Sequence, residues 1–126
     1  MNIEQIDHLV LTVVDIDATV SFYTHVLGFK YQRNDKDRIS LIFGNQKINI
    51  HHKGEEFEPK ARYPTCGSAD LCFITGTALT SVVSELNSKA IEIVSGPVER
   101  TGTRGKILSV YFRDPDGNLI EVSNYI

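Results

Sequence analysis

Four polar residues stand in strand-like, otherwise apolar stretches, and their types could do chemistry together: His8, Asn49, Asp70 and Glu121. Glu121 follows Leu119-Ile120. Alternation puts Leu119 and Glu121 on one face and Ile120 and Val122 on the other. A carboxylate on such a face must be solvated, paired or bound to a metal, because an unpaired buried charge is very costly. His8 holds a similar place in Ile6–Val14, and Asp70 in Ala69–Thr75. Imidazole and carboxylates converging from rigid strands, with positions left open, are what a divalent metal site requires. Each residue also has a plainer reading. His8 can be a surface or satisfied core histidine, Asp70 can close a turn after Gly67-Ser68-Ala69, and Glu121 can pair with an Arg or Lys.

Further candidates surround this set. His51 shares a face with Lys47 and Asn49 at a strand end and is a candidate extra ligand or acid/base group; its neighbour His52 points the other way. The stretch Arg100 to Lys106 holds three cations among glycines. It is either a solvated hairpin loop or a basic flap, with Arg104 clamping an anionic substrate. Ser109 and Tyr111 alternate toward the same side and could hydrogen-bond a substrate. The glycine spacing is not that of a nucleotide-binding loop. No Ser/His/Asp or Cys/His nucleophile pattern is present, and Cys72, in an apolar row, reads as core.

The elements that would position these residues come in two sets. In the first half, strand Ile6–Val14 precedes a helix capped by Asp15 or Asp17 and ended by Gly28. Strands 29–33, 38–43 and 47–52 follow. In the second half, strand 69–75 precedes a helix over 78–89, then strands 91–94, 106–113 and 118–124, with 96–105 as a loop. The linking stretch, about 54–68, is rich in Gly, Pro and Glu. The chain therefore reads as two βαβββ modules, about 5–53 and 69–126, within one α+β domain. Asp7-His8-Leu9 aligns with Ala69-Asp70-Leu71, Ser40-Leu41-Ile42-Phe43 with Ser109-Val110-Tyr111-Phe112, and Lys47-Ile48-Asn49-Ile50 with Leu119-Ile120-Glu121-Val122. Val10, Cys72, Ile74 and Leu119 would wall the site.

Bulk properties fit that size and class. At 126 residues one domain is expected. A net charge of −3 argues against nucleic acid or an anionic membrane as the main partner. No apolar run reaches the ~18 residues that span a bilayer, and the N-terminal stretch has no basic n-region of a signal peptide. Two cysteines make no disulfide framework, so a reduced, cytoplasmic setting is the default.

Three segments carry a family resemblance: Ile6-Asp7-His8-Leu9-Val10-Leu11-Thr12-Val13, then Ser21-Phe22-Tyr23 with Leu27-Gly28-Phe29, and Phe112 through Glu121 with its Asp-Pro-Asp-Gly-Asn core. Together they resemble the glyoxalase/bleomycin-resistance/dioxygenase, or vicinal-oxygen-chelate, superfamily over essentially the whole chain. Segments 47–51, 57–61, 96–105 and 121–125 look closer still to the small subgroup called glyoxalase-domain-containing protein five. The resemblance implies paired βαβββ modules in a cupped mixed sheet and a homodimer. It also implies a divalent metal (Mn, Fe, Ni, Zn or Mg) held by His8, Asp70 and Glu121. From their places on the strands, Glu121 and His51 are the expected catalytic groups. Arg104, Ser109, Tyr111 and Asn49 would bind substrate. Where the metalloenzymes usually have His, this chain has Asp70. Where glyoxalase I usually has a carboxylate, it has Asn49, which argues against lactoylglutathione lyase activity. The expected function is a metal-dependent enzyme of lyase, isomerase, hydrolase or dioxygenase type, acting on a small, oxygen-rich, anionic molecule. The alternative is a metal-free small-molecule-binding or resistance protein.

Overall fold

The computed structural model describes residues 1–126. It divides into two units, Met1–Cys66 and Gly67–Ile126. In unit 1 the order is β1 (His8–Val13), α1 (Ile16–His25), β2 (Lys30–Arg33), β3 (Ile39–Phe43) and β4 (Gln46–His52). In unit 2 it is β5 (Asp70–Ile74), α2 (Leu79–Ser88), β6 (Ser95–Gly102), β7 (Gly105–Arg113) and β8 (Leu119–Tyr125). Each unit is thus one βαβββ module of an α+β fold. The sheet orders match: β1-β4-β3-β2 and β5-β8-β7-β6. In each, the first and last strands run parallel and the other pairs antiparallel.

Alternation decides what is buried. Leu11 and Val13 of β1, Leu41 of β3, and Ile48 and Ile50 of β4 are all buried on one face of the first sheet. Asp15 caps α1, its side chain accepting from the Ala18 amide at 3.0 Å. The helix buries Thr19 and Tyr23 and stops at His25, short of the expected Leu27. Tyr23 packs on Phe29, and Phe29 stacks on Phe43 with centroids 4.6 Å apart. In unit 2, α2 buries Leu79, Val82 and Leu86 over a sheet face that carries Val110, Phe112, Ile120 and Val122. Ala90 lies beyond the helix at φ 56° and is exposed. Ala78 offers no side-chain cap, so Asn124 of β8 supplies one. Its Oδ1 accepts from the Leu79 amide, and its Nδ2 donates to the Thr75 and Thr77 carbonyls, all at 2.9 Å.

The expected strand over 91–94 is absent, and the expected loop over 96–105 is mostly strand. Arg100, Thr101 and Gly102 pair with Ile107, Lys106 and Gly105 across a tight hairpin. Gly96 and Pro97 fall at the start of the stretch expected as a loop. They instead occupy an irregularity between Ser95 and Val98 on an edge strand, where glycine at φ 98° and a proline without an N–H are tolerated. The basic stretch is therefore a paired hairpin rather than a free flap.

Candidate functional site

The Asp114–Asn118 turn fixes the start of β5. Asp114 is buried, and its Oδ1 accepts from the amides of Asp116 (3.0 Å) and Asn118 (2.9 Å). Its Oδ2 accepts from Asn118 Nδ2 at 2.8 Å. Asn118 in turn accepts from the Ala69 amide at 2.8 Å, and the Leu119 amide donates to the Ala69 carbonyl. Gly117 supplies the positive φ, 87°, that closes the turn. A segment recognised for its sequence thus joins the ends of β5 and β8 one residue before Asp70.

Beyond this clamp, Asp70 pairs with Leu119, Cys72 with Glu121, and Ile74 with Ser123. On the other side of β8, Tyr111 pairs with Glu121 and Ser109 with Ser123. Strand alternation puts Asp70, Cys72, Ser109, Tyr111, Glu121 and Ser123 on one face, opposite the face that α2 covers. Glu121 is half-buried. Its Oε2 accepts from Ser109 Oγ at 2.5 Å and from Ser123 Oγ at 3.3 Å, and the two hydroxyls lie 2.7 Å apart. Both serines are fully buried. No Lys or Arg nitrogen lies within 4 Å of Glu121 or Asp70, so pairing with a cation is not what holds either carboxylate. One oxygen of Glu121 is held by hydroxyls, an arrangement that orients a ligating carboxylate.

Cys72 corrects an expectation: it is exposed rather than core, because it faces away from α2. Its Sγ lies 3.5 Å from Ser123 Oγ. Desolvation, aided by the negative charge of Glu121, raises its pKa, so the thiol stays protonated. Tyr111 has its pKa raised by desolvation and then by Glu121, and Arg100 lies over its ring at 5.7 Å. Arg104 occupies the hairpin turn, 4.6 Å over the Tyr125 ring, and its amide donates to Tyr125 Oη at 3.2 Å. That bond leads the influences that lower the Tyr125 pKa.

Unit 1 repeats the register. His8 pairs with Lys47, Val10 with Asn49, Thr12 with His51, and Ser40 with Asn49. Asn49 is therefore the counterpart of Glu121, and His8 that of Asp70. The Ser40–Ser109 match is displaced by two residues, since Ser40 stands opposite Asn49 as Tyr111 stands opposite Glu121. Period-two alternation is insensitive to a two-residue shift, which keeps every side chain on its face. Val10 and Ile74, expected as walls, are 45% and 51% exposed. His8 is exposed, with Nδ1 2.8 Å from Asp7 Oδ2. His51 lies edge-on to Phe57, centroids 5.3 Å apart. Its pKa is lowered from 6.5 chiefly by desolvation and further by Arg38, against an opposing pull from Glu56.

Asp70 and Glu121 share one face of unit 2, and His8 belongs to unit 1. No three His, Cys, Asp or Glu side chains are gathered as a metal-holding group. Ser123, which holds Glu121, was not singled out in the sequence, although its position two residues after Glu121 places it on the same face. Arg38 and Phe57, which flank His51, also went unnoticed. Only the fold brings a turn residue and a linker residue to that strand end.

Residues 5–122 match the model of the Glyoxalase/Bleomycin resistance protein/Dioxygenase superfamily. The chain is 60% identical to "Virulence protein STM3117" of Salmonella typhimurium, covering 100% of this chain and 88% of that one. The crystal structure of that protein superposes with a TM-score of 0.99, covering 100% of both chains. A "Glyoxalase domain-containing protein RDO1" of Mycosarcoma maydis is 49% identical over 99% of this chain and 70% of its own length. A "Metallothiol transferase FosB" of Shouchella clausii is 29% identical, over 93% of this chain and 77% of its own length.

Proposed function

The chain belongs to the Glyoxalase/Bleomycin resistance protein/Dioxygenase superfamily, and from that premise we propose a metal-dependent enzyme acting on a small, oxygen-rich, anionic molecule. The observation that carries this reading is Glu121. It is a half-buried carboxylate on an open sheet face, with no cationic partner within 4 Å and one oxygen held by two buried hydroxyls. Asp70 on the same face is the second proposed ligand, and His8 the third. An imidazole and two carboxylates form a donor set suited to Mn, Fe, Ni, Zn or Mg. A divalent ion bound there supplies Lewis-acid polarisation. The fit is partial, because the side chains do not form a three-membered cluster. No reaction step is therefore assigned to the ion.

The chain's own residues have definable parts. Ser109 and Ser123 fix the carboxylate of Glu121. Tyr111, beside Glu121 in register, keeps its proton and can donate a hydrogen bond to a substrate oxygen. His51, held neutral by desolvation, is the proposed acid/base group. Asn49 is a proposed substrate donor, and Arg104 a proposed anchor at the hairpin turn. A homodimer in the cytoplasm completes the reading. No helix is long and apolar enough to cross a membrane.

A second reading is a metal-free binding protein, with the open face of unit 1, where Arg38 and Lys47 border a recess, holding ligand without turnover. Elemental analysis after purification without chelators separates the two. The enzyme reading predicts a stoichiometric divalent ion in wild type and its loss in Glu121→Ala. Metal-free wild type, or unchanged content in Glu121→Ala, overturns it.

A further inference from the structure

We infer that unit 1 carries a binding site for the carboxylate or phosphoryl end of a small organic molecule, in a recess between β3, β4 and the Phe57 segment. The recess has a volume of about 190 Å³. That is roughly six waters at about 30 Å³ each, room for an oxyanion and a short organic body.

The chemistry of its lining is one-sided. Arg38 and Lys47 both border it, and no Asp or Glu does. Neither cation has a carboxylate within 4 Å. Two asparagines add donors. Asn49 Oδ1 accepts from Ser40 Oγ at 2.8 Å, which turns the amide so that Nδ2 is left to donate. Asn34 Oδ1 accepts from the amides of Lys36 (2.9 Å) and Arg38 (3.0 Å), with the same result. In both cases the acceptor is spent within the protein and the donors are left over.

The guanidinium carbon of Arg38 lies 4.3 Å over the Phe57 ring. Contact through the flat of a guanidinium steadies it and leaves its N–H edge able to grip an oxyanion with two parallel bonds. Phe57 and His51 meet edge to face and wall the other side. Glu56 lies outside the lining, raises the His51 pKa by its charge, and its Oε1 already accepts from the Gly54 amide at 3.2 Å. A recess with donors, two unpaired cations and an aromatic wall selects an oxyanion joined to an apolar fragment. It disfavours a cation.

This inference rests on the proposed function only in taking the bound molecule to be the one processed. Binding itself requires no metal. The test is therefore an amide chemical-shift titration of the full chain in chelator. The probes are inorganic phosphate, methylphosphonate and pyruvate, with acetamide as the neutral control. The expected result is a saturable shift centred on residues 38–40, 47–51 and 57 for at least one anion and none for acetamide. Whether methylphosphonate or pyruvate binds more tightly assigns the phosphoryl or carboxylate source. Arg38→Gln and Lys47→Gln should each weaken binding roughly tenfold. Lys89→Gln, the same charge change on an exposed residue beyond α2, should leave it intact. Shifts that never saturate, or that Lys89→Gln weakens as much as Arg38→Gln, overturn the site. Retained amide dispersion in each variant separates lost binding from lost fold. The metal content of chelator-free protein is read separately, so either proposal can fail alone.

Discussion

The open faces of the two sheets share a strand order and a register but carry opposite chemistry. Beside the first strand, Asn49 of unit 1 and Glu121 of unit 2 hold equivalent places, as do His8 and Asp70, Lys47 and Leu119, and His51 and Ser123. One residue beyond the β3–β4 ladder, Arg38 comes opposite His51, where unit 2 has Ser109 opposite Ser123. Unit 1 therefore presents Arg38, Lys47 and His51, and unit 2 presents Asp70 and Glu121. The backbone specifies positions, and a handful of substitutions at those positions decides which charge is welcome. A scaffold repeated in this way can offer an oxyanion site on one sheet and carboxylates for a cation on the other.

The connections differ as much as the faces. Unit 1 turns from β3 to β4 through Gly44-Asn45, whereas unit 2 uses the buried Asp114–Asn118 clamp. The largest effect should come from removing it. Asn118→Ala leaves the Ala69 amide without its side-chain acceptor and removes the Nδ2 bond to Asp114 Oδ2, while Asp114 Oδ1 keeps the Asp116 and Asn118 amides; it should cost about 2–4 kcal/mol. Urea unfolding measures the loss. Hydrogen exchange should show it first at Ala69 and Leu119, while β3 and β4 amides keep their protection.

A smaller change would test whether charge alone separates the faces. Asn49→Asp puts a carboxylate where unit 2 has Glu121, on the face that carries Arg38 and Lys47. Oxyanion binding should weaken several-fold, from roughly 1 kcal/mol of added repulsion at a solvated site. Unchanged affinity in the amide titration would mean that Asn49 does not face the ligand.

His51 reports the field of unit 1 directly. Desolvation and Arg38 hold its pKa below 6.5. Arg38→Ala should raise the midpoint, and Glu56→Gln should lower it further, both read from imidazole carbon and proton shifts. The sign for stability follows. The folded state binds fewer protons than the unfolded chain, so His51 contributes no penalty above pH 6.5. The penalty grows as pH falls toward the depressed folded value and is constant below it. The smallest effect concerns Cys72 of unit 2. Although exposed, it should alkylate more slowly than a free thiol at mildly alkaline pH, and Glu121→Gln should quicken it by removing a charge that raises the pKa.

Much of the fold was legible in the residues. The order β-α-β-β-β, the faces of β1 and β8, and the equivalence of His8 with Asp70 and of Asn49 with Glu121 all follow from period-two alternation and turn chemistry. The 96–105 stretch was not legible. An edge strand with one unpaired side needs neither an apolar face nor freedom from Gly and Pro, so its sequence looks like a loop. The Ser40–Ser109 match failed because alternation specifies the face but not the register along it. For the site, the types of the candidate ligands were visible, but what holds them was not. Ser123 and Ser109 around Glu121, and Arg38 and Phe57 around His51, come from other strands, turns and the linker.

The sequence by itself determined the repeated module, the face each polar residue occupies, and the family, because side-chain periodicity and the Asp-Pro-Asp-Gly-Asn turn are local properties. Tertiary structure alone decided the partners. It bound Glu121 to hydroxyls instead of a cation, exposed Cys72, paired the basic stretch into a hairpin, and left Arg38 and Lys47 without carboxylates. Those outcomes depend on cross-strand register and on which acceptors are already spent, and neither is encoded within any one segment.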